Sequence, residues 1–197
     1  MPLKTEAHVA RASGITLEKV TYTDLAPDEL YVEIAGASVC HSDVRAAQAS
    51  FHLKPPLILG HEGAGYVLAV GSNVTYVSPG DAVVLAFCWC GICRRCKAGK
   101  SAYCERIGGL NFSGRREDGR GVVVGAEGDE GGKGEVNGKA EVSGLFFGQS
   151  SMSRVALVRE ECCVKVEGGW GREEVRRFAS LGCGLQTGAG AILYVLL

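Results

Sequence analysis

Cys90, Cys93, Cys96 and Cys104 follow the spacing C-x2-C-x2-C-x7-C within the stretch CGICRRCKAGKSAYC. Two-residue gaps let successive thiolates turn toward one point, and four thiolates complete a tetrahedral zinc shell with no open position. A shell closed in this way is structural. A ferredoxin-type iron–sulfur motif begins alike, but it needs its fourth cysteine after three residues, with proline next. Here the last gap is seven residues and Glu105 follows. Zinc is expected here, rather than an iron–sulfur cluster or four unrelated buried thiols.

A second, dispersed set points to different chemistry. CHSD at Cys40–Asp43 and GHEGAG at Gly60–Gly65 supply a thiol and an imidazole, and LGCGLQTGAGA supplies Cys183. Taken singly, such residues are more often packed or solvated than ligating. Together, Cys40, His61 and Cys183 offer two sulfurs and one nitrogen. Three ligands leave zinc a fourth position for water or substrate, as in a catalytic site. Cys88, Cys162 and Cys163 have no partner pattern and are expected as core or incidental thiols, while His8 and His52 are expected outside any site. Phe87 and Trp89 precede the four-cysteine loop and fit either a pocket wall or plain packing.

The elements that must hold these residues read mainly as strands. LYVEIAGASV (Leu30–Val39) is β-branched and partly alternating, and it runs directly into CHSD. GYVLAVGSNVTYV reads as a second strand, a turn at Gly71–Asn73 and the start of a third, and SPGDAVVLAF as a turn and another buried strand. LFFGQSSMSRVALV has a glycine-turn and strand pattern. In WGREEVRRFASLGCGL, the i, i+3, i+6 spacing of Val175, Phe178 and Leu181 predicts a short helix with those residues inward. Many short strands with tight turns predict a small β-barrel or sandwich. Residues 114–144 mix glycine with both signs of charge around one apolar cluster, Val122–Val124, and are expected as a flexible insertion.

Composition narrows the function classes. The chain has 197 residues, 46% hydrophobic content and a net charge of -1, which suits a globular protein and offers no basic stripe for nucleic acid. MPLKTEAHVARASG has no apolar run for a signal peptide, and GAILYVLL is far too short to span a bilayer. A cytoplasmic protein with no nucleic-acid or membrane partner is expected. With nine cysteines and no signal peptide, reduced thiols and metal ligands are expected rather than a disulfide framework.

GHEGAGYVLAVGSNV resembles the zinc signature of the zinc-dependent medium-chain alcohol dehydrogenases, and the four-cysteine loop resembles their structural zinc lobe. PGDAVV and GCGLQTGAGA follow in that family's order, and the wording of FFGQSS and GCGLQTGAGA is most similar to aryl- and benzyl-alcohol dehydrogenases. The resemblance implies a mainly β fold with short helices, a GroES-like partly open barrel with a zinc lobe. It also implies that a primary alcohol, in some members aromatic, is oxidised to an aldehyde with NAD or NADP. Cys40, His61 and Cys183 would hold catalytic zinc, and Cys90, Cys93, Cys96 and Cys104 structural zinc, so two zinc sites are expected. Ser42 would stand beside the alcohol oxygen and pass its proton onward, Asp43 would orient His61, Glu62 would lie behind the metal, and His41 would point to the cofactor pyrophosphate. Position 45, where the family often has a relay histidine, is Arg45.

The family's dinucleotide fingerprint is G-x-G-x-x-G after a strand, whereas GAGAIL lacks the third glycine and a preceding strand. No Rossmann domain is expected within these residues. The resulting division is 1–113 for the first part of the catalytic domain, with the zinc lobe at 88–106, then the insertion 114–144. The rest of the domain follows at 145–183, and 184–197 begins a connection to a missing cofactor domain. On this view the chain binds zinc but is inactive alone, and its oligomeric state is open because family oligomers use the missing domain. The alternative is a non-enzymatic zinc module with a partner-binding role. A zinc-ribbon nucleic-acid binder would rest on the four-cysteine loop alone.

Overall fold

The computed structural model describes residues 2–126 and 142–196. Two antiparallel sheets dominate it. The first is four-stranded, in the order β4 (Leu57–Ile58), β1 (Leu3–Arg11), β2 (Gly14–Tyr22) and β7 (Val123–Ala126). The second is five-stranded, in the order β8 (Val155–Arg159), β3 (Glu29–Ala37), β5 (Gly63–Val70), β6 (Ala82–Leu85) and β9 (Cys163–Lys165). The segment before β8 stitches the sheets together. His8 donates its amide to the Met152 carbonyl, Arg154 donates to Glu6, and Ile34 donates to Arg154. The result is a curled, partly open barrel.

Alternation explains why these stretches pack as strands. Val20 and Tyr22 of β2 and Ala7 and Val9 of β1 face one buried cluster with Ile58, Val123 and Leu157. Leu30, Val32, Val67, Val83, Leu85, Ala156 and Val158 form a second cluster within the larger sheet. Burying such apolar surface is the main term that holds a small barrel closed.

The structure departs from the sequence expectations at three places. Residues 74–77 do not begin a strand. The amides of Thr75 and Tyr76 donate instead to the Glu160 carboxylate, at 2.7 and 2.5 Å, and Val77 turns into the core. Residues 114–126, expected within a flexible insertion, are built into the fold. Val122 and Val123 are buried, β7 pairs with β2, and Arg116 grips both Glu29 oxygens, at 2.7 and 2.6 Å. Val142 and Ser143 lie on the far side of the same gap, with Ile58 donating to the Ser143 carbonyl, and 127–141 fall outside the described residues.

The third departure concerns the helix leading to Cys183. It forms as α4 (Arg172–Arg177) followed by a 3-10 turn at Ala179–Gly182. The inward residues are Val175 (0% exposed), Ala179 (1%) and Gly182, whereas Phe178 (40%) and Leu181 (38%) face outward. Small residues win the inner face because the backbone runs against β6. A Cβ on Gly182 would stand 1.8 Å from the Leu85 carbonyl oxygen. Phe178 packs instead on Trp170, with ring centroids 5.0 Å apart.

Candidate metal centres

Cys40 lies three residues past the end of β3 and caps α1 (His41–Ala47), so the CHSD residues enter a first helical turn. Asp43, on that turn, accepts the Cys40 amide at 2.9 Å through one oxygen and the Gly60 amide at 3.0 Å through the other. The latter oxygen also lies 3.1 Å from His61 Nδ1. One buried carboxylate thus ties together the loops bearing Cys40 and His61. Gly60, with φ of +99°, makes the turn into His61, and a Cβ there would stand 2.3 Å from the Met152 nitrogen. Cys183 arrives from the far end of the chain, after the Ala179–Gly182 turn and just before α5 (Gly184–Ala191).

The ligand atoms of Cys40, His61, Glu62 and Cys183 lie within 4.8 Å of one another. His61 is 2% exposed, yet its Nε2 is buried with no hydrogen-bond partner. An orphaned buried ring nitrogen is costly unless a bound ligand satisfies it. With Nδ1–H given to Asp43, Nε2 carries the lone pair that a metal requires. The two thiols beside it complete a borderline-soft set suited to zinc. The residues present therefore fit the metal.

The three ligand groups perturb one another strongly. Burial opposes ionisation of Cys40, but the Ser42 backbone N–H and the neighbouring His61 ring outweigh it and hold the thiol below its ordinary value. Burial disfavours the charged imidazole of His61. Asp43 and Cys40 more than compensate and raise its pKa. Burial, then the Cys40 thiolate and Glu62, push Cys183 up to about 12. Negative groups crowded in this way call for a shared cation.

The four-cysteine loop closes on itself through α2 (Arg94–Lys97) and the 3-10 turn Ser101–Tyr103. Its four sulfurs lie within 4.8 Å of one another, with Cys93 to Cys96 at 3.4 Å and Cys90 to Cys96 at 3.9 Å. Thiolates ~2.3 Å from a common centre in a tetrahedron sit ~3.8 Å apart, so the cage has zinc's dimensions. Backbone N–H groups of Cys96 and Glu105 are the leading cause that draws Cys93 down to about 6, whereas burial is the first cause raising Cys96 to about 12. All nine cysteines are free thiols, and Cys88, Cys162 and Cys163 are buried as expected of core residues. Trp89 packs against the lobe.

The remaining site residues fall as follows. Ser42 is half-buried on α1, with a hydroxyl that makes no hydrogen bond among the described residues. Glu62 is buried and accepts the Gly184 amide at 3.1 Å, so it caps the start of α5 beside Cys183. His41 is exposed. Arg45 donates to the Ser50 carbonyl at 3.0 Å, which closes the turn after α1.

Sequence reasoning missed the shell around His61. Phe147 stacks on the imidazole at 4.4 Å and 22°, and Phe146 meets it edge-on at 5.6 Å and 85°. Phe51 and Phe112, the last residue of α3 (Ile107–Phe112), extend the aromatic group. FFGQSS is the available signal, but a motif that carries resemblance alone does not say which ring faces the imidazole.

Comparison with known proteins gives a consistent picture. Residues 26–168 match the family described as "Alcohol dehydrogenase GroES-like domain". A geraniol dehydrogenase of Castellaniella defragrans is 39% identical over 194 residues, covering 97% of this chain and 48% of that protein. An alcohol dehydrogenase zinc-binding domain protein from Burkholderia ambifaria superposes with a TM-score of 0.84 at 34% identity, over 100% of this chain and 50% of that one. Benzyl alcohol dehydrogenase from Acinetobacter calcoaceticus gives a TM-score of 0.83 at 34% identity, over 98% and 49%. The chain spans about half the length of the curated relatives it matches. Among the described residues, no helix is long and apolar enough to cross a membrane.

Proposed function

This chain belongs to the alcohol dehydrogenase GroES-like domain family, and on that premise we propose that it is the zinc-holding catalytic part of an NAD(P)-dependent alcohol dehydrogenase. The reaction is oxidation of a primary alcohol to an aldehyde. The observation that carries the reading is the partnerless, buried Nε2 of His61 among Cys40, Cys183 and Glu62.

Cys40, His61 and Cys183 would hold the catalytic zinc, which when bound supplies a Lewis acid and lowers the pKa of a hydroxyl. The chain's own residues do the rest. Asp43 fixes the His61 tautomer and ring plane through Nδ1. Ser42, whose hydroxyl makes no hydrogen bond among the described residues, would stand beside the alcohol oxygen, accept its proton and pass it outward. Arg45 cannot serve as a neutral relay there, so the proton leaves past Ser42 to solvent, and exposed His41 would point to the cofactor pyrophosphate. Glu62 holds the first turn of α5, and with it Cys183, against the site. Cys90, Cys93, Cys96 and Cys104 would bind a second, closed zinc that fixes the lobe and takes no part in the chemistry.

An aromatic or allylic alcohol suits the site best. Phe147 and Phe146 wall the His61 ring with π faces and edges, and the named activities of the benzyl alcohol and geraniol relatives are of this kind. The strands that form sheets among the described residues pair antiparallel, and no βαβ unit of the dinucleotide-binding kind occurs among them. The 197 residues by themselves are therefore expected to bind zinc without oxidising alcohol.

Cobalt(II) in place of zinc tests the reading, because its visible bands report coordination. The open centre, with two thiolates and one imidazole, shifts its bands when benzyl alcohol or benzaldehyde is added, while the closed four-thiolate centre does not. Bands that stay fixed at saturating benzyl alcohol and benzaldehyde would contradict the proposal.

A further inference from the structure

Gln149 is 0% exposed, and its side-chain amide is spent on backbone groups remote in sequence. Its Oε1 accepts the Gly63 amide at 3.2 Å, and its Nε2 donates to the carbonyls of His61 at 3.0 Å and Ala86 at 3.1 Å. One side chain therefore grips the backbone on either side of Glu62 and joins it to the segment entering the four-cysteine lobe.

Ala86 matters because Cys183 is registered against the same place. Gly182 sits so close to Leu85 and Ala86 that a Cβ would stand 1.8 Å from the Leu85 oxygen and 3.3 Å from the Ala86 Cα. The backbone of one sulfur ligand and the backbone of the imidazole ligand thus share a reference point, and Gln149 is the hydrogen-bonded link between them.

The turn that carries Gln149 is itself held in an uncommon shape. Leu145, Phe147 and Ser150 all have left-handed backbones, with φ of 54°, 52° and 48°. Non-glycine residues persist in that region only where their surroundings over-determine them, and they cluster at functional sites. Here Ser150 Oγ accepts the Phe146 amide at 2.9 Å and donates to the Ile58 carbonyl at 2.8 Å, locking the turn. Its consequence is the stack of Phe147 on the His61 ring at 4.4 Å.

We propose that Gln149 is a positioning residue that sets the His61 imidazole relative to Cys183 and so aims Nε2 at the shared ligand point. The inference rests on the reading that Cys40, His61 and Cys183 hold zinc.

Two variants of the full chain test it. Gln149→Leu removes all three hydrogen bonds at similar volume, and Gln149→Glu keeps the acceptor for Gly63 while removing both donors. Cobalt(II) titration reads the open centre and the four-cysteine centre separately. In both variants the affinity of the Cys40–His61–Cys183 centre should fall by about 10- to 100-fold while that of the four-cysteine lobe is unchanged. A second readout needs no metal. The His61 ring protons of the apoprotein should show an upfield shift from the Phe147 ring, and both variants should lose it. Retention of the ring shift or of the wild-type affinity overturns the proposal. So does equal weakening of both centres, or failure of both variants to fold, because Gln149 would then support the whole domain and not the site. A wild-type chain that takes metal only in the lobe contradicts the zinc reading instead, and the ring shift alone then decides the role of Gln149.

Discussion

Asp43 holds His61 by its ring and by its turn: one carboxylate oxygen lies 3.1 Å from Nδ1 and 3.0 Å from the Gly60 amide. Its second oxygen takes the Cys40 amide. The geometry makes Asp43 responsible for the tautomer that leaves Nε2 free. Asp43→Asn should weaken metal binding at the Cys40–His61–Cys183 centre by about 10- to 100-fold and leave the four-cysteine lobe unaffected. Competition with a chromophoric chelator measures both constants, and an affinity within about twofold of wild type would show the contact to be incidental.

Gly182 is required by contact rather than by turn geometry, since its backbone lies against the Leu85 carbonyl. Gly182→Ala should cost about 1–3 kcal/mol through overpacking and should displace Cys183 enough to release its metal. Phe178→Ala, on the outer face at 40% exposure, should change stability by only about 0.5 kcal/mol. Urea unfolding of the two variants side by side checks the ordering. The reverse ordering would put Phe178, and not Gly182, on the inner face.

This pair also shows what the sequence could and could not reveal. Spacing alone makes the four-cysteine cage legible, because thiolates two residues apart have few ways to face one another. Cys40, His61 and Cys183 are legible as a donor set, and the structure brings them together from positions far apart in the chain. The inner face of α4 is not legible. Periodicity favours Phe178 and Leu181, whereas close backbone approach selects Ala179 and Gly182, and no local pattern announces that approach. Val122–Ala126 reads as part of a polar insertion because its surroundings are glycine-rich, yet pairing with β2 buries Val122 and Val123. Gln149 stands out in the sequence only as part of a motif, since its role depends on carbonyls that tertiary folding delivers.

The four-cysteine lobe should depend on metal more than on its own small core. Cys104→Ser should remove one zinc equivalent per chain and open the 90–106 loop to proteolysis while the barrel stays folded, because the lobe's buried residues are mostly the cysteines themselves. Limited proteolysis with mass mapping checks this. Cleavage spread evenly through β3 and β5 would contradict it.

Acid should loosen the first hairpin. The Arg11 guanidinium, 2.8 Å from both Glu18 oxygens, and then Thr16 hold Glu18 below its ordinary 4.5 against the opposing effect of burial. A depressed carboxylate contributes stability that is full above its unfolded pKa and lost as pH falls through the folded value. The loss therefore begins below pH 4.5. For a partly solvated pair the contribution is no more than about 1 kcal/mol. Glu18→Gln should flatten that part of the stability profile, as read by hydrogen exchange of β1 and β2 amides between about pH 3 and 5. An unchanged profile would show that the Arg11–Glu18 pair adds nothing to stability.

The proposed function requires two separate zinc centres, an open one at Cys40, His61 and Cys183 and a closed one at Cys90, Cys93, Cys96 and Cys104. Zinc content per chain, measured on protein purified without chelators, tests it most directly. About two equivalents are expected, falling to about one in either Cys183→Ser or Cys93→Ser. A wild-type content of about one that Cys183→Ser leaves unchanged would contradict it.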